Sequence, residues 1–299
     1  MFACSKTSNQ HKFHFMDQRI IQLYDEYTHK PLERGTFLKR LAVLAGSTTA
    51  AMAILPQLEN NYAFAQTRDD DETIITERVT WQVAGGEMKG YLARPKKPGR
   101  NPGVIVIHEN RGLNPHIEDV VRRAAKAGFI AVGPDALSLL GGTPENADEA
   151  RALFAKLDAT QTIANFVAAV PFLMKRPECT GKVGCVGFCW GGAMANNMAV
   201  NSPDLKAAVS YYGRQAAAAD VPKIKAALLL HYAGNDTRIN EGIPAYEEAL
   251  KAAKVNYELF MYDGVDHAFN NDTSAARYNE AAAKLAWGRT LEFFKKYLS

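Results

Sequence analysis

The chemistry of this sequence begins at Gly187-Phe188-Cys189-Trp190-Gly191, a cysteine flanked by glycines between the apolar run KVGCVGF and the small-residue stretch GGAMANNMAV. The spacing has the form of the nucleophile elbow G-x-S-x-G with cysteine in the serine's place. A strand that turns at once into a helix holds its central residue in a strained backbone conformation, and glycines to either side remove side chains that would clash. The turn carries the thiol to the carboxyl end of the strand, and the helix amino terminus behind it favours a thiolate. Such a nucleophile needs a base, and the base an orienting acid. Asp236 in LLLHYAGNDTRIN and His267 in MYDGVDHAFNND follow in that order, each just beyond an apolar run. Loops after parallel strands emerge at one edge of a sheet, so the three residues are expected to converge there. Asp263, Asp266 and Asp272 compete for the acid role but crowd His267 and read as turn residues. His231 lies inside an apolar run and reads as a satisfied core residue, and His116 lies near a helix start. His108, at a strand end, either lines the site or hydrogen-bonds beneath it. The run His108-Glu109-Asn110-Arg111-Gly112 lacks the second histidine of a zinc H-E-x-x-H, so no metal is expected.

These residues need a scaffold that brings strand ends together. From about Thr73 onward short apolar runs alternate with helical stretches, which predicts an α/β fold with a mostly parallel central sheet and helices on both faces. ITERVTWQV and EMKGYLARP, around Ala84-Gly85-Gly86, read as an opening antiparallel hairpin. PGVIVIHE, FIAVGPD, KVGCVGF, KAAVSYYG, KAALLLHYAG and NYELFMYDG supply the remaining strands, and a long helix from about Ala275 to Tyr297 closes the chain. Helical stretches are expected at 117–127, 147–157, 160–174 and after Gly191.

Composition bounds the partners. A chain of 299 residues with 47% hydrophobic and 22% charged residues has the makeup of a globular protein with one large domain or two small ones. A net charge of +3 is too small and too scattered to suggest nucleic acid or a membrane surface. Cys4, Cys179, Cys185 and Cys189 have no zinc spacing, and three of them fall in one short stretch that bridges poorly.

Residues 1–65 read as a leader ahead of a catalytic domain at 66–299. Arg34, Lys39 and Arg40 form a basic patch before an apolar stretch from Leu41 to Leu55, too short and too rich in small and hydroxyl residues for a stable membrane span. Arg34-Gly35-Thr36-Phe37-Leu38-Lys39 resembles a twin-arginine export signal with glycine for the second arginine, and Ala63-Phe64-Ala65 has the small-x-small form that signal peptidase accepts. Export with cleavage before Gln66 is the expectation. The alternative is an uncleaved N-terminal helix in a cytoplasmic protein, where a catalytic thiol is safer from oxidation. A helix-like pattern starts at MDQRIIQLYDEY, so Met16 competes with Met1 as the start.

Together HENRGLNPHIEDVVRRAAKAGFIAVGPD, GKVGCVGFCWGG, AGNDTRIN and DGVDHAFNND resemble the dienelactone hydrolase family of α/β-hydrolases, from the Thr73 region to the C terminus. The resemblance implies the α/β-hydrolase fold and a Cys-His-Asp triad at Cys189, His267 and Asp236. It also implies a glutamate after the third strand, here Glu109, that holds the resting thiol. A carboxylate beside a thiol disfavours the thiolate, so such a site stays quiet until substrate displaces it. Backbone N–H groups of Trp190 and Asn110 are expected to form the oxyanion hole. The family's dienelactone-cleaving members clamp the substrate carboxylate with two arginines, and Leu139 and Asn271 stand at those places here. Dienelactone itself is therefore a poor substrate for this site. Arg111, Arg214 and Arg238 lie on loops at the same edge and either form a different anion site or are ordinary loop residues. The expected function is hydrolysis of a small ester or lactone through a thioester, with no metal or organic cofactor. A redox-sensing protein on the same fold, or a thioester or peptide hydrolase, is the alternative.

Overall fold

A computed structural model describes residues 16–62 and 65–299. Cys4, the Met1 start and most of the Ala63-Phe64-Ala65 site lie outside the described residues. The chain divides into two compact units between Glu59 and Asn60.

The first unit contains helices α1 (Gln18–His29), α2 (Arg34–Ala45) and α3 (Thr48–Leu58). Asp17 caps α1 by accepting from the Arg19 N–H, and Ser47 caps α3 by accepting from the Ala50 N–H at 3.0 Å. The helix-like pattern at Met16 is thus a helix. The apolar stretch from Leu41 to Leu55 is not continuous, because Gly46 takes a left-handed conformation (φ 83°) and ends α2. Among the described residues no single helix is long and apolar enough to cross a membrane, and α2 and α3 pass that test together only across a bend of 111°. Tyr27 stacks on Phe37 at 4.3 Å, and Arg40 pairs with Glu26 at 2.9 Å, which joins α1 to α2.

The second unit is built on one eight-stranded sheet. Its elements run β1 (Ile74–Val83), β2 (Gly86–Pro95), β3 (Asn101–Ile107), α4 (Pro115–Lys126), β4 (Ile130–Pro134), α5 (Ala147–Phe154), α6 (Ala159–Val167), α7 (Ala169–Met174), β5 (Cys179–Phe188), α8 (Trp190–Asn201), β6 (Ala207–Tyr211), β7 (Ala227–Ala233), α9 (Thr237–Asn240), α10 (Ile243–Ala252), β8 (Tyr257–Tyr262) and α11 (Glu280–Leu298). The strand order is β1-β2-β4-β3-β5-β6-β7-β8. β1 and β2 form the expected hairpin, β2 runs antiparallel to β4, and every pairing beyond is parallel. This is the α/β-hydrolase architecture with helices on both faces. Three expected helices are shorter or broken, the first being 147–157, which ends at Phe154. Residues 160–174 split into α6 and α7 at Ala168, and α11 starts at Glu280 because Asn279 caps it, leaving 275–279 outside the helix.

Alternation along the strands fills two cores. Val104 and Val106 pack with Ile117 and Val121 of α4 and Phe293 and Phe294 of α11. Ile105 and Ile107 face the other way, with Cys185, Met194, Met198 and Phe166. Both faces of β3 and β5 are therefore dry, and their carboxyl ends hold a fixed position. None of Cys179, Cys185 and Cys189 is in a disulfide.

His231 is the satisfied core residue that its setting on β7 implies. Its Nδ1 meets Tyr262 Oη at 3.0 Å and its Nε2 meets Thr290 Oγ1 at 3.3 Å, and the same hydroxyl meets Tyr211 Oη at 2.7 Å. Burial first, and the Arg289 charge second, lower its pKa from 6.5 to about 3. Below about pH 6.5 the unfolded chain therefore takes up a proton at this position that the folded chain refuses, so stability present above that pH is lost as acid is added. Urea unfolding at stepped pH is expected to show stability falling from about pH 6.5 downward, with a shallower fall in His231→Asn. An unchanged slope in that variant would remove His231 as the cause.

Candidate active site

The site is made by the turn between β5 and α8. Cys189 is the single residue between them, with φ 57° and ψ −112°, in a region that non-glycine residues seldom occupy. The backbone is forced there by close approach. A Cβ on Gly187 would stand 1.8 Å from the Gly191 carbonyl oxygen, and one on Gly191 would stand 2.4 Å from the Ile107 oxygen and 2.5 Å from that of His108. Glycine at both positions lets β5 fold back on α8 and lets α8 start against β3. The Cys189 N–H donates to the Tyr211 carbonyl at 3.0 Å, which ties the elbow to β6. Gly192 and Gly213 were not singled out in the sequence, yet a Cβ on Gly213 would lie 2.3 Å from the Gly192 carbonyl carbon. The YYG that ends β6 is the signal for this second crossing.

Asp236 and His267 come from the loops after β7 and β8. The Asn235 N–H donates to Val265 O at 3.0 Å and its side chain to Asp266 at 3.0 Å, which joins the two loops. Asp236 Oδ2 and His267 Nδ1 are 2.5 Å apart, and both residues are buried. An ionised carboxylate only accepts, so Nδ1 carries the proton and Nε2 is left as the basic nitrogen. A ring nitrogen of His267 lies within 4.8 Å of Cys189 Sγ. The Tyr212 ring packs 4.9 Å from the imidazole, and Tyr212 itself has a left-handed backbone (φ 39°).

Of the competing acids, Asp266 accepts from Asn235, and Asp272 is no solvated turn residue. Asp272 pairs with His116 at 3.2 Å and Arg123 at 2.6 Å. Burial pushes its carboxyl up, but the His116 bond and the Arg123 charge outweigh that and hold it at about 2. The His267 loop is thereby anchored to α4.

Glu109 follows β3 and is buried, and its Oε2 accepts from Asn271 Nδ2 at 2.9 Å. The Asn271 oxygen accepts from the Thr273 N–H at 3.1 Å and its hydroxyl at 2.6 Å, which fixes the amide with its nitrogen toward Glu109. Asn271, a substrate-binding candidate because it stands where the resemblance implies a carboxylate-clamping arginine, thus engages the glutamate in this structure. Trp190 supplies the first amide of α8, and Asn110 is half-buried beside Glu109. The three loop arginines separate: Arg111 is buried next to Asn110, Arg238 is partly buried in α9, and Arg214 is exposed. Residues that sequence reasoning missed are Tyr212 and Arg277. Burial raises the Tyr212 phenol well above its ordinary range, with the Glu109 and Cys189 charges adding and Arg277 opposing.

Known proteins share this sequence pattern and this fold. The dienelactone hydrolase family pattern matches residues 88–298. A Salmonella typhi protein described as "Putative carboxymethylenebutenolidase" is 34% identical over 228 residues, covering 71% of this chain and 84% of its own. The "Putative hydrolase fragment YghX" of Escherichia coli is 49% identical over 114 residues, 37% of this chain and 97% of its own. The crystal structure of a "Putative Dienelactone Hydrolase" from Klebsiella pneumoniae superposes with a TM-score of 0.68 at 30% identity, covering 75% of this chain and 99% of that one. The chain belongs to the dienelactone hydrolase family and is, with it, a hydrolase of ester or lactone bonds.

Proposed function

We propose that Cys189 is the nucleophile of this hydrolase and that the reaction passes through a thioester on its sulfur. The observation that carries this reading is the pairing of an elbow cysteine of strained, positive φ with a histidine whose other nitrogen is bound to a buried aspartate. His267 takes the thiol proton, Sγ attacks the carbonyl carbon, and the oxyanion forms against the N–H groups of Trp190 and Asn110. As the tetrahedral adduct collapses, the leaving alcohol takes the proton from the imidazolium. Water, deprotonated by His267, then cleaves the thioester, and the acid leaves with the thiol restored. Asp236 keeps the imidazole in the one tautomer that serves both steps.

The polar lining favours an uncharged ester or lactone. At the two places where the resemblance implies carboxylate-clamping arginines stand Leu139, on the loop after β4, and Asn271, whose amide is held on Glu109. An aliphatic chain and a neutral amide do not replace a guanidinium fork for a carboxylate.

Stopped-flow hydrolysis of p-nitrophenyl acetate is expected to give a burst of p-nitrophenol equal to the enzyme concentration. Cys189→Ala and His267→Ala are each expected to lower kcat by about 10³-fold or more, and Asp236→Asn by on the order of 10²- to 10⁴-fold. Full activity in Cys189→Ala would end the nucleophile assignment. Across paired lactones and esters with and without a free carboxylate, the neutral member of each pair is expected to show the higher kcat/KM. A consistent preference for the carboxylate would show that Arg111, Arg238 or Arg277 forms a clamp of its own.

A further inference from the structure

His108 is held more tightly than a residue that merely fills space beneath a site. It is fully buried at the end of β3. Its Nε2 lies 3.1 Å from the Ala136 N–H, a group that can only donate, so Nε2 is the accepting nitrogen. The proton is therefore on Nδ1, which sits 2.6 Å from the Glu109 carbonyl oxygen and donates to it. The ring face stacks on the Trp190 indole at 5.4 Å with planes 8° apart, and Phe154 and Phe166 close its edges at 5.6 and 6.1 Å.

Two of these contacts, the Glu109 carbonyl and the Trp190 ring, belong to the groups that carry the two proposed oxyanion donors. The Glu109 carbonyl and the Asn110 N–H belong to one planar trans peptide, in which C=O and N–H point in opposite directions. A donor that fixes the carbonyl from below fixes the N–H on the opposite side. The indole that the imidazole stacks on belongs to Trp190, the residue that gives the second N–H. We propose that His108 is a positioning residue that aligns both oxyanion donors, as a neutral imidazole with its proton on Nδ1. This inference rests on the reading in which Trp190 and Asn110 receive the oxyanion.

The support beneath His108 is itself ordered. Asp135 is buried at the end of β4, and its carboxylate accepts from the Thr143 N–H at 2.8 Å and the Thr143 hydroxyl at 2.7 Å. Its Oδ1 also accepts from the Leu137 N–H at 2.9 Å, so the loop that presents the Ala136 N–H is held on either side of that amide. Thr143 Oγ1 accepts in turn from the Leu113 N–H at 3.0 Å, joining this loop to the segment that carries Asn110. Burial holds the imidazole below its ordinary range, against the opposing charges of Asp135 and Glu109. A protonated ring would turn Nε2 into a donor facing the Ala136 N–H. Neutrality is thus a condition of the geometry.

The test uses the full chain. His108→Phe keeps the stacked ring and removes both hydrogen bonds, whereas in His108→Gln an amide can still accept from Ala136 and donate to Glu109. Turnover of p-nitrophenyl acetate by His108→Phe is expected to lose on the order of 10²-fold in kcat with KM changed less than about threefold, the pattern of an oxyanion donor out of line. His108→Gln is expected to recover most of that loss. Alkylation of Cys189 by iodoacetamide should proceed at the wild-type rate in both, since the thiol is not what His108 holds. A folded His108→Phe with kcat within about threefold of wild type, or one whose alkylation slows in step with kcat, overturns the proposal. If His108→Phe does not fold, 15N-histidine NMR of the wild-type protein decides. One imidazole is expected to stay neutral with its proton on Nδ1 through the pH range in which free histidine titrates, and loss of that signal in His108→Gln assigns it. An Nε2–H tautomer, or ordinary titration, overturns the proposal. Wild-type protein that turns over no ester overturns the catalytic reading and this one with it. Active wild type beside an indifferent His108→Phe overturns this one alone.

Discussion

Three backbone segments share one small volume where β5 becomes α8, and that crowding governs the site. Gly187 faces the Gly191 carbonyl, Gly191 faces the carbonyls of Ile107 and His108, and no side chain fits at either place. With the chain pinned before and after it, Cys189 is left in a sparsely populated positive-φ conformation that costs on the order of 1–3 kcal/mol. The strain persists because β3 and β5 are buried on both faces and cannot shift to relieve it. Relaxing the elbow would mean moving two cores. The thiol's position is thus a by-product of packing that extends well beyond the site.

The remaining polar groups are placed by a common device, in which each side chain has its second hydrogen-bonding atom occupied so that the first faces one way. Asp236 takes the Nδ1 proton of His267, Thr273 takes the Asn271 oxygen and turns its amide to Glu109, and Ala136 takes Nε2 of His108. Each of these groups is buried, where an unmade hydrogen bond costs about 1–3 kcal/mol, so the wrong orientation is strongly penalised. The ion pairs on α4 serve the same end from outside. Arg123 joins Asp119 and Asp272, and Asp272 closes the loop that begins at His267. Loops at a sheet edge acquire the rigidity of the sheet in this way.

The strand segments along the chain, the hairpin at the start and the cysteine elbow were legible in the amino-acid sequence, because each is a local pattern, whereas the placing of β4 between β2 and β3 in the sheet was not. Period-two apolar runs make strands wherever they fall, and glycines two residues either side of a cysteine signal a turn that needs them. Helix limits were less legible. Residues 160–174 carry one helical pattern, yet α6 and α7 part at Ala168, and Asn279 starts α11 later than the apolar pattern implies. The N-terminal apolar stretch was read as one piece, whereas Gly46 and the Ser47 cap divide it. At Gly46, Ser47 and Asn279 a short-range capping or turn preference overrides a longer periodicity, and at α7 Pro171 lacks the N–H that would continue the α6 ladder.

What the sequence by itself determined is the pattern from which the proposed chemistry is read: a cysteine on an elbow, then an aspartate, then a histidine, each after a strand that a parallel sheet delivers to the same edge. What only the tertiary structure decided is which atoms meet. Asp266 and Asp272 lie within about one turn of His267 along the chain, yet the fold gives Asp272 to Arg123 and His116 and Asp266 to Asn235, and brings Asp236 to the imidazole from 31 residues away. Likewise no local pattern places Asn271 on Glu109, or His108 between Ala136 and the Glu109 carbonyl. The physical reason is that propensity and periodicity act over a few residues. A hydrogen bond between loops is set by strand register, helix packing and the direction left open to each side chain once its neighbours are in place.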